Sequence, residues 1–100
     1  MLYMILAKDS VNTLDLRQTA APAQAAYLQA LRDEGRLLLA GPLPAIDAID
    51  PGPAGYRGSL IVAEFASLED ANDWFMDAPY QRAHAYAQVE ILPFIALEPL

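Results

Sequence analysis

The opening strand of this chain is apolar on both of its faces. Side chains alternate along a strand, so in Met1–Ala7 the residues Leu2, Met4 and Leu6 point one way and Tyr3, Ile5 and Ala7 the other. Ser59–Phe65 repeats the property, with Leu60 and Val62 set against Ile61, Ala63 and Phe65. A sheet built from such strands needs cover on both sides, while a short chain has helices enough for one. The simplest cover for the second side is another copy of the same chain. A homodimer through the sheet face is therefore expected, with any ligand cleft beside it.

Composition agrees with that demand. The chain has 100 residues, enough for one domain, 1–100, with one core. It is 55 % hydrophobic and 19 % charged, so it is not a disordered chain. The net charge is −7, and the six bases Lys8, Arg17, Arg32, Arg36, Arg57 and Arg82 are scattered. Nucleic-acid binding needs a concentrated positive footprint, so none is expected. The absence of cysteine excludes thiolate chemistry and disulfides, and a lone His84 provides no zinc cluster, so neither metal nor cofactor is expected. No stretch has the length of a membrane span, and Met1–Ala7 carries no basic leader, which predicts a cytoplasmic protein without membrane attachment.

Along the chain, strand one is expected at Leu2–Lys8, followed by a polar turn and an ill-defined stretch, Leu14–Ala20. Pro22 suits a first helical turn, which predicts a helix from there to about Glu34, closed by Gly35. Leu37–Ala40 reads as a short buried strand. Gly41–Gly58, rich in proline and glycine, reads as a flap within the domain. After the third strand, Ser67 is a good N-cap for a second helix carrying Ala71, Trp74, Phe75 and Ala78, which Pro79 ends. Tyr80–Ala87 leaves room for a further helical turn, and Val89–Phe94 reads as a fourth strand in which Pro93 requires an edge or a bulge. This order predicts an α+β, ferredoxin-like βαββαβ fold: a four-stranded antiparallel sheet with its helices on one face.

Met1-Leu2-Tyr3, Asp33-Glu34-Gly35-Arg36-Leu37-Leu38, Ala40-Gly41-Pro42-Leu43-Pro44-Ala45, Asp50-Pro51-Gly52, Ala54-Gly55, Gly58-Ser59, Ala63-Glu64-Phe65 and Pro93-Phe94 resemble the YciI (YCII-related) family over nearly the whole chain. The resemblance implies a dimeric α+β barrel related in architecture to muconolactone isomerase, a small-molecule pocket, and chemistry that includes dehydrohalogenation of an aromatic diol. It also implies a histidine early in the first helix and an aspartate in an Asp-Pro-Tyr or Asp-Pro-Phe motif after the second. Here Ala21-Pro22-Ala23-Gln24 puts Gln24 in the histidine's place, and Ala78-Pro79-Tyr80 puts Ala78 in the aspartate's. An amide neither accepts nor delivers a proton at neutral pH, and a methyl group orients nothing.

Three readings follow from that departure. In the first, the chain is a binding protein that keeps the pocket, with Thr19, Gln24, Gly41, Pro42 and Tyr80 as ligand-binding residues, Tyr80 and the Gly41-Pro42 pair matching the family pattern directly. In the second, it is a lyase- or isomerase-type enzyme on small aromatic or cyclic substrates that uses relocated catalytic residues, Asp77 and His84, each equally at home on a solvated surface. In the third, the pocket has collapsed around the small residues Ala21 and Ala78, leaving a structural or interaction dimer. Trp74 and Phe75 are assigned to the core in all three.

Overall fold

Alternation decides which side of the sheet is covered. β1 (Leu2–Asp9) buries Tyr3, Ile5 and Ala7 beneath the helices and turns Leu2, Met4 and Leu6 to the opposite side. β2 (Leu37–Pro44), β3 (Tyr56–Glu64) and β4 (Tyr86–Phe94) complete a sheet of order β2-β3-β1-β4 in which every neighbouring pair is antiparallel. α1 (Leu14–Asp33) connects β1 to β2, and α2 (Leu68–Met76) with the single turn α3 (Pro79–Arg82) connects β3 to β4. The arrangement is α+β, βαββαβ and ferredoxin-like, as the order of elements predicts. This computed structural model describes residues 1–98; Pro99 and Leu100 of the expected domain lie outside the described residues. Among the described residues, no helix is long and apolar enough to cross a membrane.

The prolines sort themselves by the sheet's geometry. Both edge strands carry them, Pro42 and Pro44 on β2 and Pro93 on β4, while the central strands β1 and β3 have none. An edge strand pairs on one side only and spares the missing donor. β2 therefore runs through Gly41-Pro42-Leu43-Pro44 instead of stopping at Ala40, and the expected flap shrinks to the segment 45–55.

Two helix boundaries also move. α1 starts at Leu14, and Pro22, expected at its first turn, lies inside it on the exposed side. A mid-helix proline withdraws the N–H that would bond the carbonyl four residues back, here that of Gln18, but packing along the rest of the helix retains it. α2 stops at Met76, short of Ala78, and Pro79 opens α3. Ser67 caps α2 as expected, its hydroxyl accepting from the Asp70 N–H at 3.0 Å.

Phe65, Phe75 and Ile5 are the largest fully buried side chains of the single core, each stabilising the fold by roughly 1.5–3 kcal/mol. Trp74 belongs to the packing, stacked on Tyr27 at 4.8 Å, and the Tyr27 hydroxyl donates to the Trp74 carbonyl at 2.6 Å, pinning α1 to α2. The side of the sheet away from the helices is different. Leu39, Leu92 and Phe94 are 42 %, 46 % and 39 % exposed there, beside the half-buried Leu2, Met4, Leu6 and Leu60.

Gly58 pairs with Lys8 between β3 and β1, and a Cβ at this position would overlap the Ala7 carbonyl oxygen. Backbone cannot yield as a flexible side chain does. Gly58→Ala is expected to destabilise the protein by about 1–3 kcal/mol, read as a lowered midpoint in urea at unchanged slope.

Candidate functional site

A buried ion pair anchors one end of the space between α1 and the sheet. Arg17 is 5 % exposed, and the side chain of its partner, Asp9, is 3 % exposed. Arg17 Nε donates to Asp9 Oδ2 at 2.8 Å and Nη2 to Asp9 Oδ1 at 2.7 Å, the parallel fork that a guanidinium makes with a carboxylate. Nη2 also reaches the Gly58 carbonyl at 2.8 Å and Ser59 Oγ at 3.0 Å. The Thr13 hydroxyl donates to Asp9 Oδ2 at 2.6 Å. Burial by itself lowers the pKa of the guanidinium, but its hydrogen bond and charge interaction with Asp9 outweigh that and raise it, so Arg17 stays a cation. None of these bonds uses Nη1, and the Tyr80 hydroxyl also interacts with the guanidinium.

Three tyrosine rings surround this cation. The guanidinium carbon lies 5.1 Å from the Tyr56 centroid, 5.1 Å from that of Tyr80 and 5.7 Å from that of Tyr86. Two irregularities in strand pairing bring the first and last of them here. β1–β4 pairing shifts between Lys8 and Asp9, so Tyr86 stands opposite Asp9, and β2–β3 pairing shifts between Leu43 and Pro44, so Tyr56 stands opposite Pro44. Each shift inserts an extra residue and returns a tyrosine to the helix side, where strict alternation would have turned it outward. The Tyr86 hydroxyl donates to Ser59 Oγ at 2.8 Å. Burial pushes the hydroxyl pKa of Tyr80 and of Tyr86 up, with Arg17 opposing, so both stay protonated at neutral pH.

From this polar end a cleft of about 790 Å³ opens along α1. Leu14, Arg17, Gln18, Ala21, Gln24, Ala25 and Leu28 form its α1 wall, Ala40, Gly41 and Pro42 of β2 face them, and Asp50, Gly52 and Pro53 form the rim. Tyr56, Ser59, Ile61 and Tyr80 complete the lining, which is largely apolar with a few convergent polar groups, the usual make-up of a small-molecule site. Gln24 is buried, and its Oε1 accepts from the Tyr80 N–H at 3.0 Å. Asp50 Oδ1 is engaged by the Gly52 N–H at 3.1 Å.

Of the residues singled out in the sequence, Gln24, Gly41, Pro42 and Tyr80 line the cleft together. Thr19 is exposed and does not line it, because it lies off the stripe of α1 that faces the sheet. Asp77 and His84 are likewise placed outside. The Asp77 carboxylate, 65 % exposed, accepts from Arg82 Nη2 at 2.9 Å on the surface. His84 is exposed in the turn after α3, with φ +62°, a left-handed position that closes the turn and points the chain into β4. The collapsed pocket is corrected too, since the space beside Ala21 is open. Arg17, Asp9, Ser59 and Tyr56 carry the polar end and escaped the sequence reading, which took Leu14–Ala20 as irregular. Extending the apolar stripe Leu28, Ala25, Ala21 backward places Arg17 on it, and a charged residue on such a stripe is the signal that was there to find.

The YCII-related domain model matches residues 1–95. Protein YciI of Escherichia coli O6:H1 is 51 % identical over 94 residues, 94 % of this chain and 96 % of that protein. An uncharacterized protein of Haemophilus influenzae is 45 % identical over the same shares of the two chains. Among solved structures, the 5-chloro-2-hydroxyhydroquinone dehydrochlorinase of Burkholderia phenoliruptrix, in complex with 2,5-dihydroxybenzoquinone, superposes with a TM-score of 0.83 at 25 % identity, covering 95 % of this chain and 94 % of that one. The chain belongs to the YCII-related domain family.

Proposed function

We propose that this chain is a small-molecule-binding member of its family whose cleft takes a planar, oxygenated ring in anionic form, and that it works in the cytoplasm as a homodimer. The observation that carries the reading is Arg17: its Asp9 partner occupies one edge of the guanidinium, and the cation stands at the head of an apolar cleft between tyrosine rings. A fixed cation at the head of a cleft attracts an oxyanion, and the Tyr56 and Tyr80 rings favour a flat ligand. That the related dehydrochlorinase was solved with a dihydroxybenzoquinone supports the same ligand class.

Catalysis of the kind that relative performs needs a group that takes up a proton near neutrality. Among the described residues no histidine lines this cleft, and the carboxylate at its rim, Asp50, is already an acceptor for Gly52, which favours binding over turnover. The relocated pair, Asp77 and His84, draws no support from side chains that lie outside the cleft. The dimer is supported by the exposed Leu39, Leu92 and Phe94 on the uncovered sheet face, since an apolar surface of that kind marks an interaction site.

Calorimetric titration with 2,5-dihydroxybenzoquinone is expected to give saturable binding, weakened about tenfold by Arg17→Lys, which keeps the charge but loses the fork. Tyr56→Leu, which spares the ion pair, is expected to weaken binding about fivefold. Absence of binding by the parent refutes the ligand class. With 5-chloro-2-hydroxyhydroquinone, the parent is expected to release chloride no faster than buffer, and Gln24→His with Ala78→Asp to accelerate it. Turnover by the parent that is abolished by Asp77→Asn and His84→Gln would establish the relocated enzyme instead. Sedimentation is expected to find a dimer that Leu92→Lys dissociates; a parent that sediments as a monomer removes the dimer from the proposal.

A further inference from the structure

We infer that Gln24 is the N-terminal cap of α3, supplied from α1, and that this duty makes it a positioning residue for Tyr80 while fixing its amide as a donor toward the cleft. Ala78 has the extended backbone of an N-cap residue (φ −62°, ψ 138°), but its methyl group accepts no hydrogen bond. Pro79 has no N–H, so the first donor that the turn must satisfy is the N–H of Tyr80. Gln24 Oε1 takes that bond across the gap between the helices.

The bond has a second consequence, at the other end of the same amide. A backbone N–H only donates, so the oxygen of Gln24 must face Tyr80, and Nε2 must face away. Nε2 donates to no protein group among the described residues, and Gln24 lines the cleft. Along α1 the cleft then has a cation at its head, Arg17, and an oriented donor, Gln24 Nε2, about 10 Å of helical rise further along, with the amide of Gln18 between them. A ligand that engages both must bring acceptor oxygens at its two ends, which deepens, and rests on, the oxygenated-ring reading. Tyr80 is the shared element. Its backbone is held by Gln24, and its ring stands 5.1 Å from the Arg17 guanidinium carbon and edge-on to Tyr86 at 6.2 Å.

The full-length chain tests both halves. Gln24→Ala removes the cap and the donor together. Ala78→Ser, a neutral and minimal change at a buried site, supplies a cap at the N-cap position itself without restoring the donor. Amide hydrogen exchange at Tyr80 is expected to quicken about fivefold in Gln24→Ala and to return to the parental rate in the double variant. Affinity for 2,5-dihydroxybenzoquinone is expected to stay about tenfold weaker in that double variant although its Tyr80 is again protected, a split that a purely structural role would not produce. Unchanged Tyr80 exchange in Gln24→Ala, or failure of Ala78→Ser to rescue it, overturns the capping role. Parental affinity in the double variant overturns the donor role. If the parent binds no quinone, the ligand-binding reading falls with the donor half, and the exchange measurements still decide the capping half.

Discussion

A guanidinium taken out of water must find acceptors for its N–H groups, and in this fold that requirement joins elements far apart in the chain. Asp9 at the end of β1 accepts two of Arg17's bonds, while Gly58 and Ser59 of β3 accept others. Ser59 in turn receives the hydroxyl of Tyr86 from β4. One side chain on α1 therefore ties together three strands on the side of the sheet where the cleft opens. A charge this deeply buried is tolerated only because the carboxylate beside it is buried too and bonded in the same fork. Withdrawing either partner would strand the other, so the pair fixes where α1 crosses the sheet and hence where the cleft runs.

The same economy of donors and acceptors governs the other wall. α3 is a single turn that begins with an alanine and a proline, neither of which caps it. The acceptor arrives from α1, through Gln24. Gln24 and the Ala78-Pro79-Tyr80 turn thus form one neutral arrangement. The cleft has a fixed cation at its head and no histidine among its described lining residues. Recognition needs fixed donors and a dry wall, whereas acid–base chemistry needs a matched pKa.

Much of the fold was legible in the residues, and the exceptions have specific physical causes. The order of elements predicted the four-stranded antiparallel sheet, and Pro93, which required an edge or a bulge, lies on an edge strand. Pro22 misled, because proline's preference for a helix start is a local propensity that packing along a whole helix can override. That single displacement hid Arg17 inside a stretch taken as irregular. Pro42 and Pro44 misled in the opposite direction, since an edge strand accommodates prolines that a central one would reject. Of the site, Gln24, Gly41, Pro42 and Tyr80 were readable by correspondence with a family pattern, whereas Thr19, Asp77 and His84 were chosen by proximity in sequence, which says little about the direction of a side chain.

By itself, then, the sequence determined the order of elements, the antiparallel sheet and its apolar outer side, because hydrophobic alternation is written residue by residue. The tertiary structure alone decided what stands around the cation. Tyr56 and Tyr86 lie on strands whose plain alternation would send them to the outer side, and the shifts of register beside Pro44 and Asp9 return them to Arg17. A strand's register depends on what it pairs with, and that partner lies many residues away. Local pattern cannot contain it.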